Sequence, residues 1–137
     1  MNRVVVTGMG LVTPFGCGGE HNWNKLISGN SSAKKITKFD VKDYKCQVAC
    51  EVPHGNGDNG TFNAEEWIEK KELKKIDDFI KYALAASEEA FQVSNLNKIN
   101  DPESFRAGCI IGSGMGGLPG IEQTSIDFEN GKKISPF

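Results

Sequence analysis

Three potential metal ligands recur at intervals of four residues in the first half of the chain: Cys46, Cys50 and His54. Thiolate and imidazole groups bind zinc, but structural zinc sites combine two closely spaced ligand pairs, and the sequence supplies no second pair. The other cysteines, Cys17 and Cys109, have no disulfide-scaffold spacing. We therefore expect no metal site and no cofactor. Cys46 and Cys50 are interpreted as small apolar residues of a strand, with metal binding as the alternative.

A glycine-rich segment at 112–117, GSGMGG, has the spacing of a dinucleotide-binding fingerprint. Gly112, Gly114 and Gly117 satisfy G-x-G-x-x-G between an apolar run and a helical pattern. In that motif, backbone amides and a helix N-terminus face a pyrophosphate. The acidic residue that would hold the ribose is missing, because 131–137 offers neither a strand nor an acidic end. We interpret the glycines as residues that let this turn pass close to another part of the backbone. A small dinucleotide-binding domain remains an alternative.

The densest basic cluster is KKELKK at 70–75. On a helix, Lys71, Lys74 and Lys75 would share one face at positions i, i+3 and i+4. Five acidic residues surround the cluster, namely Glu65, Glu66, Glu69, Asp77 and Asp78. Such a face is usually only solvated, but it could also dock an acidic protein partner. Both interpretations are open at this point.

Alternating strand and helix patterns indicate an α/β fold with a largely parallel sheet. Valines and isoleucines without a polar face predict two buried strands, Val4–Thr7 and Ala107–Ile111. A weaker alternation predicts an edge strand over Gln47–Val52, ended by Pro53. Helical spacing and end signals predict helices over Glu20–Ile27 and from Pro119 to about Phe128, and Asp101–Glu103 is expected to open a short helical turn.

The longest predicted helix lies in the middle of the chain. Asn63 is a natural N-cap, and Glu66 three residues later completes a capping-box pattern. From Leu73 to Phe91 the apolar residues follow the helical period. Additional apolar positions widen the stripe, so we expect this helix to be buried on most of its circumference.

Composition narrows the classes of function. The 137 residues carry 16 Lys and Arg against 18 Asp and Glu, for a net charge of -2. A nucleic-acid binder normally has a basic excess, so no nucleic-acid partner is expected. The sequence has no apolar run of the roughly 20 residues needed to span a bilayer, and its first valines are too few for a signal peptide. We expect a cytoplasmic protein without a membrane partner.

Three stretches together resemble the type II β-ketoacyl-acyl-carrier-protein synthases. They are RVVVTGMGLVTPFG at 3–16, KKELKKIDDFIKYALAA at 70–86, and GCIIGSGMGG at 108–117 followed by KISPF at 133–137. The order and spacing of these stretches match the family over essentially the whole chain. The resemblance therefore identifies residues 1–137 as part of the family's N-terminal domain. The resemblance implies a thiolase-like fold of five αβαβα layers, of which this chain would be an incomplete N-terminal part. It also implies a homodimeric condensing enzyme of fatty-acid elongation.

The resemblance assigns binding roles, and no catalytic role, to residues of this chain. Met115 takes the position that lines the acyl pocket near the dimer interface, and Phe137 belongs to the aromatic segment that closes this pocket. Basic residues match the positions through which the family meets acyl carrier protein; they are Lys71, Lys74, Lys75, Lys132 and Lys133.

No cysteine or histidine of the chain matches the nucleophile or the two catalytic histidines of the family, which occur further along. We therefore expect this chain alone to be inactive in condensation. A non-catalytic partner of a carrier protein or of another synthase subunit is a further alternative.

Overall fold

The computed structural model describes residues 3–96 and 104–134. Short strands and helices follow one another along the chain, so the predicted α/β class is confirmed in its coarse form. The strands are β1 (Val12–Thr13), β2 (Gly16–Cys17), β3 (Lys34–Lys35) and β4 (Val48–Ala49). The helices are α1 (Gly19–Ile27), α2 (Lys70–Leu73), α3 (Asp78–Ser94) and α4 (Leu118–Glu129), with 3-10 turns at Asp58–Gly60 and Ala64–Glu66.

The sheets differ from the predicted parallel arrangement. β1 pairs antiparallel with β2, with Val12 opposite Cys17, and β3 pairs antiparallel with β4, with Lys34 opposite Ala49. The connection at 14–15 is too short for a parallel crossover, so β1 and β2 can only be antiparallel neighbours, and the longer loop at 36–47 also reverses the chain between β3 and β4. The predicted edge strand is confirmed in its central two residues, Val48–Ala49.

The prediction of two central strands is wrong, because neither strand is formed in this structure. Val4–Thr7 and Ala107–Ile111 have no regular structure, and Val4 and Ile110 are 91% and 99% exposed. A strand needs a neighbour to bond its N–H and C=O groups, and neither segment is paired with another among the described residues. The apolar pattern is present in the sequence, but the structure does not bury it.

Residues 8–11 instead lie along the C-terminal half of α3. A methyl group added to Gly10 would lie 1.9 Å from the carbonyl oxygen of Ala86, and one added to Gly8 would lie 2.5 Å from that of Ala90. Only residues without a side chain allow the two backbones to approach this closely. The glycines therefore fix where this segment crosses the helix.

Glu89 of α3 holds the start of α1 and the segment before β1. Its Oε2 accepts the N–H of Leu11 at 2.8 Å, and its Oε1 accepts the N–H of Gly19 at 2.6 Å. Gly19 is the first residue of α1, so this carboxylate satisfies one of the N–H groups that a helix start leaves without a partner. A charged acceptor also suits the positive end of the helix dipole.

The buried amide of Asn22 holds the β1–β2 hairpin against α1. Its Nδ2 donates to the carbonyl oxygens of Gly16 at 3.1 Å and Gly18 at 2.8 Å, and its Oδ1 accepts the hydroxyl of Thr13. A buried amide with all these partners satisfied stabilises a unique arrangement of the loop around it.

The predicted long helix is divided and more exposed than expected. Asn63 caps as predicted, since its side chain accepts the N–H of Glu65 at 3.2 Å, but the turn that follows ends at Glu66. The main helix begins at Asp78, and only Ala85 within it is fully buried.

α1 and α4 are confirmed to within one residue at each end. The predicted turn at Asp101–Glu103 lies outside the described residues.

Candidate functional site

The glycine-rich turn packs on the first turn of α3, and this contact forms the candidate site. A methyl group on Gly116 would lie 2.6 Å from the ring of Phe79, so the backbone lies directly on the aromatic side chain. Gly117 has a φ of 75°, in the left-handed region that glycine adopts without strain. It is followed at once by α4. The local sequence thus places Met115 at the edge of the α3–α4 contact.

Met115 is 82% exposed and lines a groove of about 350 Å³. The other lining residues include Phe79, Tyr82, Asp78, Lys81 and Lys38. A flexible thioether at the mouth of a groove can adjust to ligands of different length. The structure therefore places Met115 where it could contact a ligand, while Phe137 lies outside the described residues.

The groove also contains a titratable cluster that the sequence patterns did not predict. Lys81 Nζ lies 2.9 Å from Asp78 Oδ1, and this hydrogen bond lowers the pKa of Asp78. Burial, with a smaller effect from Asp78, raises the pKa of Tyr82 to about 12. Tyr82 Oη and His54 Nε2 share a hydrogen bond of 2.7 Å. The groove therefore presents a neutral phenol beside a paired carboxylate, which suits binding through hydrogen bonds.

A second groove, of about 760 Å³, lies on the other side of Phe79 between α3 and α4. Its lining is mostly apolar, with Ile80, Ile121 and Phe128 among the contacts, and Lys75 stands at its rim. The two grooves share Asp77, Phe79 and Gly117. The α3–α4 contact is therefore flanked on both sides by open apolar surface with lysines at the edges.

Neither Cys17 nor His21 has the surroundings of an activated nucleophile and its base. Burial, followed by the charges of Glu89 and Glu66, raises the pKa of Cys17, which favours the unreactive thiol. His21 bonds the carbonyl oxygen of Phe15 at 3.0 Å rather than a thiol. In the part of the chain that the structure describes, no three His, Cys, Asp or Glu side chains are grouped to hold a metal ion. Cys46 and Cys50 are exposed and lie outside β4, which spans only Val48–Ala49, so their interpretation as strand residues is wrong.

The α4 N-terminus is poorly suited to a pyrophosphate. Asp77 Oδ2 lies 3.1 Å from the position of a methyl group on Gly117 and 2.9 Å from one on Gly120, so a carboxylate already lies beside this turn. Its charge would repel a second anion, and Pro119 removes one of the amide donors. The strand that should precede the fingerprint is also not formed. This geometry disfavours the dinucleotide-binding alternative.

The predicted lysine face is divided between two elements. α2 ends at Leu73, so Lys74 and Lys75 lie beyond the helix that carries Lys71, and the predicted spacing along one helix is wrong. The residues 65–75 contain four glutamates and four lysines, so their net charge is zero. Three of these lysines form ion pairs, Lys70 with Glu65 at 2.9 Å, Lys71 with Glu69 at 2.6 Å, and Lys75 with Glu72 at 3.0 Å.

The exposed lysines nevertheless remain available for a partner. Lys74 forms no ion pair with any residue that the structure describes. Exposed pairs contribute only about 0.2–1 kcal/mol, so a partner's carboxylate can replace the internal one. Near the end of the described chain, Lys132 bonds Asp127 at 2.7 Å, which lowers the pKa of Asp127, and Lys133 is exposed.

Comparison with known proteins decides the family. The family described as "Beta-ketoacyl synthase, N-terminal domain" matches residues 1–137. The chain belongs to the β-ketoacyl synthase family. The 3-oxoacyl-[acyl-carrier-protein] synthase 2 of Rhizobium meliloti is 43% identical over 139 residues, which cover 100% of this chain and 33% of that protein. The enzymes of the same name from Coxiella burnetii and Vibrio cholerae are 36% and 38% identical, and each comparison covers 98% of this chain and 31% of the relative.

A solved structure agrees with this assignment. The ishigamide ketosynthase/chain length factor is similar at a TM-score of 0.56 and 32% sequence identity, over 66% of this β-ketoacyl synthase chain and 21% of that chain. The likeness fits a thiolase-like fold. The chain spans about a third of the length of the curated relatives. No helix among the described residues is long and apolar enough to cross a membrane.

Proposed function

We propose that this chain is part of a condensing enzyme of fatty-acid biosynthesis, a 3-oxoacyl-[acyl-carrier-protein] synthase. Such an enzyme joins an acyl and a malonyl thioester with loss of carbon dioxide. The observation that carries the proposal is the 43% identity to the Rhizobium meliloti synthase over the whole chain. In this proposal residues 1–137 are the first part of the N-terminal domain of a homodimer with the layered αβαβα fold, acting in the cytoplasm.

Within that enzyme the chain would bind rather than react. Burial raises the pKa of Cys17 and so favours its thiol, whereas a thiolate is the form that accepts an acyl group. The exposed Met115 and its groove suit an acyl chain, whose methylene groups gain about 0.8 kcal/mol each on burial. Phe137 is proposed to close the same pocket. Lys71, Lys74, Lys75, Lys132 and Lys133 would contact the acidic acyl carrier protein.

The test of the activity uses the protein at its natural length, purified from its source with an antibody to this chain. It is supplied with acyl and malonyl carrier protein, and the β-ketoacyl product and the released carbon dioxide are measured. We expect product from the natural protein and none from the isolated 137-residue chain. Absence of product from the natural protein, with intact substrates, would overturn the proposal.

The role of Met115 is tested in the same assay by M115W. A bulkier wall should shorten the longest acyl chain that is elongated, because the indole occupies space that the chain needs. M9W is the matched control, since Met9 is also exposed but lies in a different groove. An unchanged product distribution in M115W would remove Met115 from the acyl site.

The carrier contact is tested by the double charge reversal K74E with K75E. We expect slower association with the carrier and a marked dependence on salt, because exposed charges steer encounter and are screened at high ionic strength. Unchanged affinity at low salt would mean that these lysines are only solvated. If the natural protein binds carrier but forms no product, the non-catalytic partner becomes the better assignment.

A further inference from the structure

A second basic surface lies on the hairpin formed by residues 34–49, here called the lysine hairpin. It carries five lysines against two aspartates, a net charge of +3 in a chain whose total is -2. The rest of the chain therefore carries -5. Its lysines are Lys34, Lys35, Lys38, Lys42 and Lys45.

No lysine of the lysine hairpin forms an ion pair among the described residues, and Lys38 acts on Asp78 only as one of the weaker charges that lower its pKa. All five ion pairs of the described residues use lysines elsewhere in the chain, between Lys70 and Lys132. Asp40 is in no ion pair among the described residues, and its Oδ1 accepts the backbone N–H of Lys42 at 3.0 Å. This differs from the segment 65–75, where lysines and glutamates balance.

The loop that presents these lysines is held in place. Val41 at its centre is 2% exposed and anchors it to the interior. The N–H of Ile36 donates to the carbonyl oxygen of Gln47 at 2.9 Å, and Gln47 Nε2 donates to the carbonyl oxygens of Lys42 and Tyr44, each at 3.3 Å. A surface ordered before binding loses less conformational entropy when a partner arrives.

An exposed aromatic pair lies among the lysines. The ring centroids of Phe39 and Tyr44 are 5.9 Å apart in an edge-to-face arrangement, and both side chains are more than half exposed. Aromatic anchors surrounded by charged residues are typical of the centre and rim of a protein interface. A nucleic acid is the less favoured partner, because the -5 charge of the remaining chain would repel an extended polyanion.

The lysine hairpin also continues the proposed carrier-binding side. Lys38 lines the same groove as Met115 and the first turn of α3, and Lys75 stands at the rim of the neighbouring groove. An acidic protein that reaches Lys74 and Lys75 would therefore approach the same end of α3 that the hairpin borders.

We infer that the lysine hairpin is a second contact for the acidic carrier protein, with Phe39 and Tyr44 receiving an apolar residue of the carrier. This inference rests on the proposed function. It adds a binding surface separate from Lys71, Lys74 and Lys75, and it assigns most of the net attraction to the hairpin, since the segment 65–75 is neutral.

The test measures binding of apo-acyl carrier protein, without an acyl chain, to the natural-length protein by surface plasmon resonance. The hairpin variant is K38E with K42E and K45E. The control variant, R3E with K25E and R106E, changes the net charge equally at exposed residues that are not part of the hairpin. At 25 mM salt we expect about 10-fold weaker binding for the hairpin variant and less than about 3-fold for the control, with the difference shrinking at 300 mM salt.

Equal effects of the hairpin and control variants would overturn the inference. If K74E with K75E still weakened binding in that case, the proposed function would stand while the hairpin contact fell. No binding of carrier by the unaltered protein would overturn both. Tighter binding of a 12-nucleotide single-stranded RNA than of the carrier would also refute the choice of partner. Circular dichroism checks that each variant is folded. If the triple variant misfolds, the single variants K38Q and K25Q are compared in the same way.

Discussion

Replacement of Glu89 by glutamine should destabilise the fold, because it removes one of the two side-chain oxygens that accept backbone N–H groups. The carboxylate accepts the N–H groups of Leu11 and Gly19 with different oxygens, and an amide has only one oxygen to offer. Hydrogen bonds to charged groups contribute about 1.5–3 kcal/mol each, and partial exposure reduces this here, so we expect E89Q to cost about 1–2 kcal/mol. E89A, which loses both bonds, should cost about 2–4 kcal/mol.

The assay is equilibrium unfolding in urea, followed by circular dichroism. With a denaturant slope of about 2 kcal/mol/M, the E89Q midpoint should fall by about 0.5–1 M. E88Q is the control, because Glu88 is the adjacent residue and, within 3–96 and 104–134, bonds only the side chain of Gln92, at 2.8 Å. Equal midpoints for E89Q and E88Q would show that the carboxylate does not hold the two segments together.

Two further predictions concern close packing and pH. G10A should destabilise the chain by about 1–3 kcal/mol, because its methyl group would overlap the carbonyl oxygen of Ala86. G112A is the control, with nothing within 4 Å of its methyl position, and its urea midpoint should not change. The raised pKa of Tyr82, about 12 against 10, means that the unfolded chain deprotonates first as pH rises, so stability should fall between pH 10 and 12. Y82F should reduce that fall while Y44F leaves it intact, and identical pH profiles for the two variants would refute the assignment.

Elements that carry their own signals were predictable from the sequence. α1 has a helical apolar period and a glycine shortly after its end, α4 has a proline in its first turn, and both were predicted to within one residue at each end. Asn63 was predicted as a cap because its role depends only on residues two and three positions later. Such local patterns need no knowledge of the rest of the fold.

Features that depend on distant residues were not predictable. The valines of 4–6 have strand propensity, but a strand forms only where another supplies its hydrogen bonds. The lysine face failed because the end of α2 at Leu73 leaves no mark in the charge pattern. The cluster of Asp78, Tyr82 and His54 joins residues from two segments 24 or more positions apart, which only the folded chain brings together.

The open valine segment has a consequence for how the chain behaves in solution. Val4, Val5 and Val6 are all more than 60% exposed on a backbone with free N–H and C=O groups, and glycine contacts hold the residues that follow them on α3. Such a segment accepts a strand from another molecule as readily as one from its own protein. A net charge of -2 offers little repulsion against that encounter. We therefore expect isolated copies of this chain to associate through these valines unless another strand covers them.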